Sequence, residues 1–181
     1  TWMHLSADVP LQFHSLLYVP KTNMEFMGFE ANDEGVSLFV RRVMVDAHEK
    51  EILPKYLRFA RGVLESDDLP LNISRETLQE NPHMFKIKNT VVSKFLSHLQ
   101  DIAKKNPDQY EEFWKQHGRI FKEGYNDYSN KDKVADLFRY NSSKCNNSDE
   151  VISLETYVGR MLENQDEIYY ISGPNREVLE N

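Results

Sequence analysis

The 181 residues carry 22 lysines and arginines against 29 aspartates and glutamates, a net charge of −7, with 40% hydrophobic and 28% charged content. That is an ordinary globular composition, long enough to bury a real core, and its acidic balance excludes a generic nucleic-acid binder, which carries a basic surplus. No apolar run reaches the roughly 20 residues that a bilayer-spanning helix needs, so no membrane insertion is expected, and the single cysteine, Cys145, excludes an internal disulfide and points to a reducing compartment.

Residues 9–19 place Leu11, Phe13, Ser15 and Leu17 on one face and Gln12, His14 and Leu16 on the other, which predicts a strand closed by Pro20. Residues 21–35 hold the loop punctuation Asn23, Gly28, Asn32, Asp33 and Gly35. Met24, Phe26, Met27 and Phe29 among them form either a satellite cluster packed on the domain or an adaptable partner surface. Val36 to Val45 reads as one strand running through Arg41-Arg42, central in its sheet, followed by a charged turn from Asp46 to Lys50. Ile52 to Leu64 has helical spacing, but Pro54 suits only a first turn, so a short helix from Pro54 is expected.

The segment from Asp67 to Glu80 marks a change from an extended half to a helical half. Pro70 disfavours helix at Leu69, and Ser74 can cap a helix beginning at Arg75. Arg75 then lies in the first turn, where a cation opposes the helix dipole at a cost of roughly 0.3 to 1 kcal/mol. An arginine held out for an anion would look like this, as would one that is merely solvated or locally paired.

Asn81-Pro82 ends that helix and opens a longer one, from about His83 to Lys105, with Phe85, Val91, Val92, Phe95, Leu96, Leu99, Ile102 and Ala103 at three- and four-residue steps. Asn106-Pro107-Asp108-Gln109 is a start signal for a helix that buries Tyr110, Phe113, Trp114, His117, Ile120 and Phe121 and ends at Gly124. A third helix covers about Lys131 to Arg139, and Asn141 to Glu150 is a polar loop. Ser153 caps a fourth helix over Leu154 to Leu162. Glu167 to Ser172 reads as a strand, and Gly173-Pro174 opens a last helix.

Familiar catalytic patterns are missing from the sequence. The histidines His4, His14, His48, His83, His98 and His117 have no metal-ligand spacing, so no metal site is expected, and Cys145 has no histidine near it in sequence. Neither phosphate-cradling glycine motif occurs. Asp67-Asp68 and Glu111-Glu112 read as solvated surface pairs.

The run Leu69-Pro70-Leu71-Asn72-Ile73-Ser74-Arg75-Glu76, with Leu78-Gln79 after it, resembles the catalytic-loop signature in the middle domain of the heat-shock protein 90 family of ATP-driven chaperones. Leu17-Tyr18-Val19-Pro20, Leu38-Phe39-Val40-Arg41-Arg42-Val43, Leu137-Phe138-Arg139-Tyr140-Asn141 and Ile168-Tyr169-Tyr170-Ile171 follow the family's order, so the likeness covers nearly the whole chain. The resemblance implies a layered α/β domain over residues 1–105 with the catalytic loop at 67–80, a helical subdomain over 106–165, and the first strand and helix of a second, truncated α/β domain over 166–181. It also implies a partly extended passage ending in Gly62-Val63-Leu64.

The resemblance further implies that ATP, with Mg2+, is held by a separate N-terminal domain of the same protein. Arg75 would reach its γ-phosphate, supported by Gln79, so that both serve an ATPase whose isolated middle fragment is inactive. A planar guanidinium suits the task because it can make two hydrogen bonds to phosphate oxygens. Client proteins and co-chaperones would be the other partners, with the Met24–Phe29 cluster and Trp2 as candidate surfaces. The fragment would be monomeric and the full-length protein a homodimer. The Val9-Pro10-Leu11 and Gly173-Pro174-Asn175-Arg176 stretches lean towards the bacterial and organellar branches, hence a bacterial cytoplasm, mitochondrion or plastid rather than the eukaryotic cytosol. The rival reading is a non-catalytic interaction module in which Arg75 only anchors its own loop to Asp67 or Asp68.

Overall fold

A computed structural model describes residues 1–9, 11–23, 35–70, 81–145, 147, 150–174 and 176–180. Five strands, β1 (Trp2–Ala7), β2 (Phe13–Tyr18), β3 (Gly35–Val40), β4 (Val43–Glu49) and β5 (Arg61–Ser66), form one sheet in the order β1-β2-β5-β3-β4. All neighbours are antiparallel except β3 and β5, which are parallel. The helices are α1 (Pro82–Lys105), α2 (Pro107–Phe121), α3 (Lys131–Leu137), α4 (Leu154–Val158) and α5 (Arg176–Glu180). The expected α/β layered fold followed by a helical part is present.

Alternation assigns the two faces of the sheet. Met3, Phe13, Leu17, Val36, Leu38, Val40 and Leu64 point inward and are buried, whereas Trp2, Leu16, Tyr18, Val63 and Met44 point outward and are exposed. The inner face joins a single apolar core with α1, α2 and α3. Along α1, Met84, Ile87, Val91, Val92, Phe95, Leu96, Leu99 and Ile102 are all buried, the three-and-four spacing of a core-facing stripe, whereas Phe85, expected on that stripe, is exposed and Met84 takes its place. Asn81 caps this helix, its side-chain oxygen accepting from His83 N at 2.8 Å and Met84 N at 3.3 Å, with Pro82 in the first turn.

Several expectations need correction. Val36 to Val45 is two strands, because Arg41 (φ 50°) and Arg42 (φ 65°) make a tight hairpin turn with both residues left-handed. Asp46 to Glu49 consequently lies within β4, where a charged turn was expected. No strand was expected before residue 9, yet β1 forms there, with Met3, Leu5 and Ala7 on the core side alternating with the exposed Trp2, His4 and Ser6. Ile52 to Leu64 contains a 3-10 turn at Lys55–Leu57 and then β5, so the short helix from Pro54 and the extended passage are both present in part.

Asn106 makes no side-chain cap. Its backbone serves both neighbouring helices, the N–H donating to Ile102 O at 2.8 Å and the carbonyl accepting from Tyr110 N at 3.1 Å, while Pro107 offers no N–H to cap. The helix α2 ends at Phe121, before Gly124, and runs into a 3-10 turn over Lys122–Asn126. The third and fourth helices stop short of Arg139 and Leu162, at Leu137 and Val158, because Phe138 turns extended and a turn follows at Gly159. Ser153 caps α4 as expected, accepting from Thr156 N.

Residues 167–172 pair with no strand among the described residues, and Tyr169, Tyr170 and Ile171 are exposed. An extended segment becomes a strand only when a neighbour takes its backbone hydrogen bonds, and here Tyr157 Oη takes one, from Tyr169 N at 3.2 Å. The helix expected after Gly173-Pro174 forms as α5. The Met24–Phe29 cluster and the helix expected to begin at Arg75 lie outside the described residues.

Aromatic and polar contacts bind the helices to the crossover between β4 and β5. Phe59 packs against Phe113, His117 and Phe121, and Tyr56 against Phe121. Tyr56 Oη donates to Asp127 Oδ2 at 2.7 Å. Burial and then that carboxylate push the phenol well above its usual range. Arg58 forms a two-pronged pair with Glu123, at 2.6 and 2.9 Å, which holds the Glu123 carboxyl below its usual pKa. Lys133 Nζ bridges α3 to α1 through Ser93 Oγ (2.8 Å) and Ser97 Oγ (2.9 Å). In the fully buried corner, Tyr110 Oη donates to Leu137 O at 2.6 Å while the Arg139 guanidinium stacks 4.6 Å from the Tyr110 ring.

Two predictions follow from this packing. Gly62 sits mid-sheet at φ 150°, and a Cβ there would lie 2.0 Å from Leu16 O, a backbone atom that cannot step aside. Gly62→Ala should therefore lower stability by at least about 2 kcal/mol in urea unfolding, from strain and overpacking together. Burial lowers the pKa of His98 below its usual 6.5, partly opposed by Asp101. The unfolded chain then binds the proton more readily, so stability falls as pH drops below about 6.5 and through the lowered folded value. The urea midpoint should decline from pH 7 to pH 5, and His98→Gln should flatten that decline.

Candidate functional site

The segment carrying Arg75 and Gln79 joins the end of β5 to the start of α1, and both residues lie outside the described residues. The structure places the two roots of that segment. At the outgoing root, Ser66 is buried at the end of β5, and its Oγ donates to Gln12 O at 2.8 Å. Asp68 Oδ2 accepts from Gln12 N at 2.6 Å, and Asp68 N donates to Ser66 Oγ at 3.3 Å. Leu69 is fully buried, fixing the chain to the core one residue before Pro70. At the returning root, Asn81 caps α1, and His83 Nδ1 lies 3.3 Å from Asp68 O, within hydrogen-bond reach.

The two ends of the segment are thus tied to each other and to the start of β2. Gln12, Ser66 and His83 do this work, and none of them was marked by the sequence, because each acts through a partner 15 to 56 residues away. Among the described residues, no three His, Cys, Asp or Glu side chains converge to hold a metal ion. None of the helices formed by described residues is long and apolar enough to cross a membrane. Asp68, one of the two carboxylates either of which could anchor a purely structural Arg75, already accepts from the Gln12 backbone N–H.

Compared with known families, residues 1–181 match the model of the Hsp90 protein family from end to end. The chain belongs to the Hsp90 family. Curated relatives agree with that placement. The chain is 46% identical over 175 residues to the protein named Chaperone protein HtpG of Oleidesulfovibrio alaskensis, covering 97% of this chain and 28% of that protein. It is 45% identical over 179 residues to the protein of the same name from Desulfitobacterium hafniense, covering 98% and 29%, and 42% identical over 181 residues to that of Francisella tularensis subsp. novicida, covering 99% and 29%. The chain therefore spans under a third of the length of these Hsp90-family relatives.

The root makes a testable statement of its own. Ser66→Ala removes a buried hydroxyl that satisfies Gln12 O and receives Asp68 N, and should cost about 1 to 2 kcal/mol in urea unfolding. Asp68→Asn weakens a charge-assisted bond at an exposed site and should cost less, about 1 kcal/mol or under. In hydrogen exchange, both variants should speed the Gln12 amide and leave amides in the middle of α1 unchanged.

Proposed function

We propose that this chain is the middle segment of an ATP-dependent chaperone of the Hsp90 family, lending Arg75 to the γ-phosphate of an ATP held with Mg2+ by a separate N-terminal domain. The observation that carries the reading is the whole-chain family match together with the Leu69–Glu76 signature between two fastened roots. Bound Mg·ATP would supply the reacting phosphate and most of the charge neutralisation. The chain's own part is to bring a planar cation to the phosphate oxygens, with Gln79 as its support, and to hold the segment that bears both from a rigid base.

The same reading assigns residues 1–105 to the α/β middle domain, 106–165 to a helical subdomain and 166–181 to the start of a second α/β unit. The exposed Tyr169, Tyr170 and Ile171 suit a strand that would acquire neighbours there. Client proteins and co-chaperones are the partners, the full-length protein is a homodimer and the fragment a monomer. The bacterial relatives favour a bacterial cytoplasm over an organelle.

The test is ATP turnover and nucleotide affinity in the full-length protein. Arg75→Ala should reduce turnover by roughly 10³-fold while affinity changes little, and Gln79→Ala should reduce it less. Unchanged turnover would make Arg75 a structural residue of an interaction module.

A further inference from the structure

Among the described residues none beyond Ile152 is buried, although the chain there forms α4, an extended stretch and α5. With no apolar side chain in the core, this part is held by polar contacts, and segments held that way open most readily. Two sets of contacts do the holding. Near α4, Tyr157 Oη accepts from Gln165 Nε2 at 3.1 Å and from Tyr169 N at 3.2 Å. At the far end, Arg176 reaches back 29 and 31 residues along the chain. Its Nη1 donates to Asn147 O at 2.8 Å and its Nη2 to Cys145 O at 3.0 Å, while Nε pairs with Glu180 on the same helix.

The stretch from Asn141 to Glu150, a polar loop by sequence, is organised to receive that guanidinium. Tyr140 and Ile152 close its neck by exchanging both backbone hydrogen bonds, at 2.9 and 2.8 Å. Asn141 Nδ2 donates to Glu150 O at 3.1 Å, Glu150 N to Asn147 Oδ1 at 2.9 Å and Cys145 N to Ser142 O at 2.9 Å, and Cys145 is buried. The carbonyls of Cys145 and Asn147 are thereby fixed as two acceptors for one planar cation, whose rigid fork spans both and still leaves Nε for Glu180. The Arg176 side chain is only 21% exposed, against 57% for Glu180, so the cation is drawn in rather than left in solvent. On the same helix Leu179 closes over Gly173, where a Cβ would lie 2.5 Å from Leu179 Cδ2, so α5 and Gly173 move as one piece.

We propose that Arg176 is a latch that fixes α5 on the 141–150 loop. Closed, the guanidinium holds helix and loop together. Open, α5 swings away from the exposed Tyr170 and Ile171, while Tyr157 still holds Tyr169 and the core is untouched. A chain that continues past α5 takes its direction from the state of the latch, so one side chain sets how the following part is posed on the helical body. The latch stands apart from the role proposed for Arg75 and neither requires it nor follows from it.

The experiment uses the full-length protein, with hydrogen exchange and limited chymotrypsin digestion both mapped by mass spectrometry. Arg176→Ala should speed exchange of the Cys145 and Glu150 amides, and cleavage after Tyr170, at least about fivefold each, because both follow the open population. Amides in the middle of α1 and the melting temperature should stay as in the parent, since Arg176 supports nothing in the core. Arg176→Lys keeps the charge beside Glu180 but loses the fork, and should speed both processes as well. Tyr157→Phe should speed the Tyr169 amide and leave the Cys145 amide unchanged. Four results each overturn the proposal: no change in either process with Arg176→Ala, faster loop exchange with unchanged cleavage after Tyr170, a lowered melting temperature, or parent-like behaviour of Arg176→Lys.

Discussion

Parallel pairing of β3 with β5 governs the rest of this molecule. Two parallel neighbours cannot be joined by a tight turn, so β4 first returns the chain to the level where β3 starts, and the chain must then cross past β3 before β5 can enter between β2 and β3. The crossing lies between Glu49 and Arg61, and it buries Ile52, Leu53, Tyr56, Leu57, Phe59 and Ala60. Those residues carry the seam between the sheet and the helices, where Tyr56, Arg58 and Phe59 reach Asp127, Glu123 and the aromatic face of α2. The crossover therefore does two jobs at once. It delivers β5 to the centre of the sheet, and it supplies the surface on which the helices settle.

Delivering β5 to the centre also decides where the signature segment starts. The end of β5 comes out beside the beginning of β2, close enough for Ser66 and Asp68 to bond to both the N–H and the carbonyl of Gln12. A strand at the sheet edge would have left this exit hanging from one side only. Leu69 adds an apolar anchor and Asn81 restarts the chain as a capped helix, so the residues between 70 and 81 depart from and return to fixed points. For the role proposed for Arg75, the stiffness of the base matters as much as the side chain's own charge.

The sequence reveals the helical half much better than the sheet. Asn81-Pro82 and Asn106-Pro107 mark two helix starts to within a residue, and the stripe from Met84 to Ile102 is long enough for its period to be unmistakable. The sheet fails to show in two places, for separate reasons. Arg41-Arg42 is no turn signal, because the left-handed pair there is imposed against side-chain preference, so two strands read as one. Trp2 to Ala7 does alternate, with Met3, Leu5 and Ala7 facing the core and His4 and Ser6 facing solvent, but the run is short, lies at the sheet edge and is only partly buried. The signature around Arg75 was legible only as a family likeness, since local chemistry by itself favoured a solvated or locally paired arginine over a functional one. Its root was not legible at all, because Gln12, Ser66 and His83 are ordinary residues until the fold brings them together.

The chain departs from easy local rules at the turn between β3 and β4, beside the end of β5 from which the signature segment leaves. Arg41 and Arg42 are both left-handed there. A sequence shaped by folding alone would have relieved that turn with Asn-Gly. Elsewhere the framework is largely consistent: most inward positions are apolar, with Ser15, Glu49 and Ser66 as buried polar exceptions, α1 is capped, and the mid-sheet position where a Cβ would collide with backbone is a glycine. A misfit in an otherwise consistent framework is a cost, and a well-anchored crossover, core and loop root are what allow the domain to carry it.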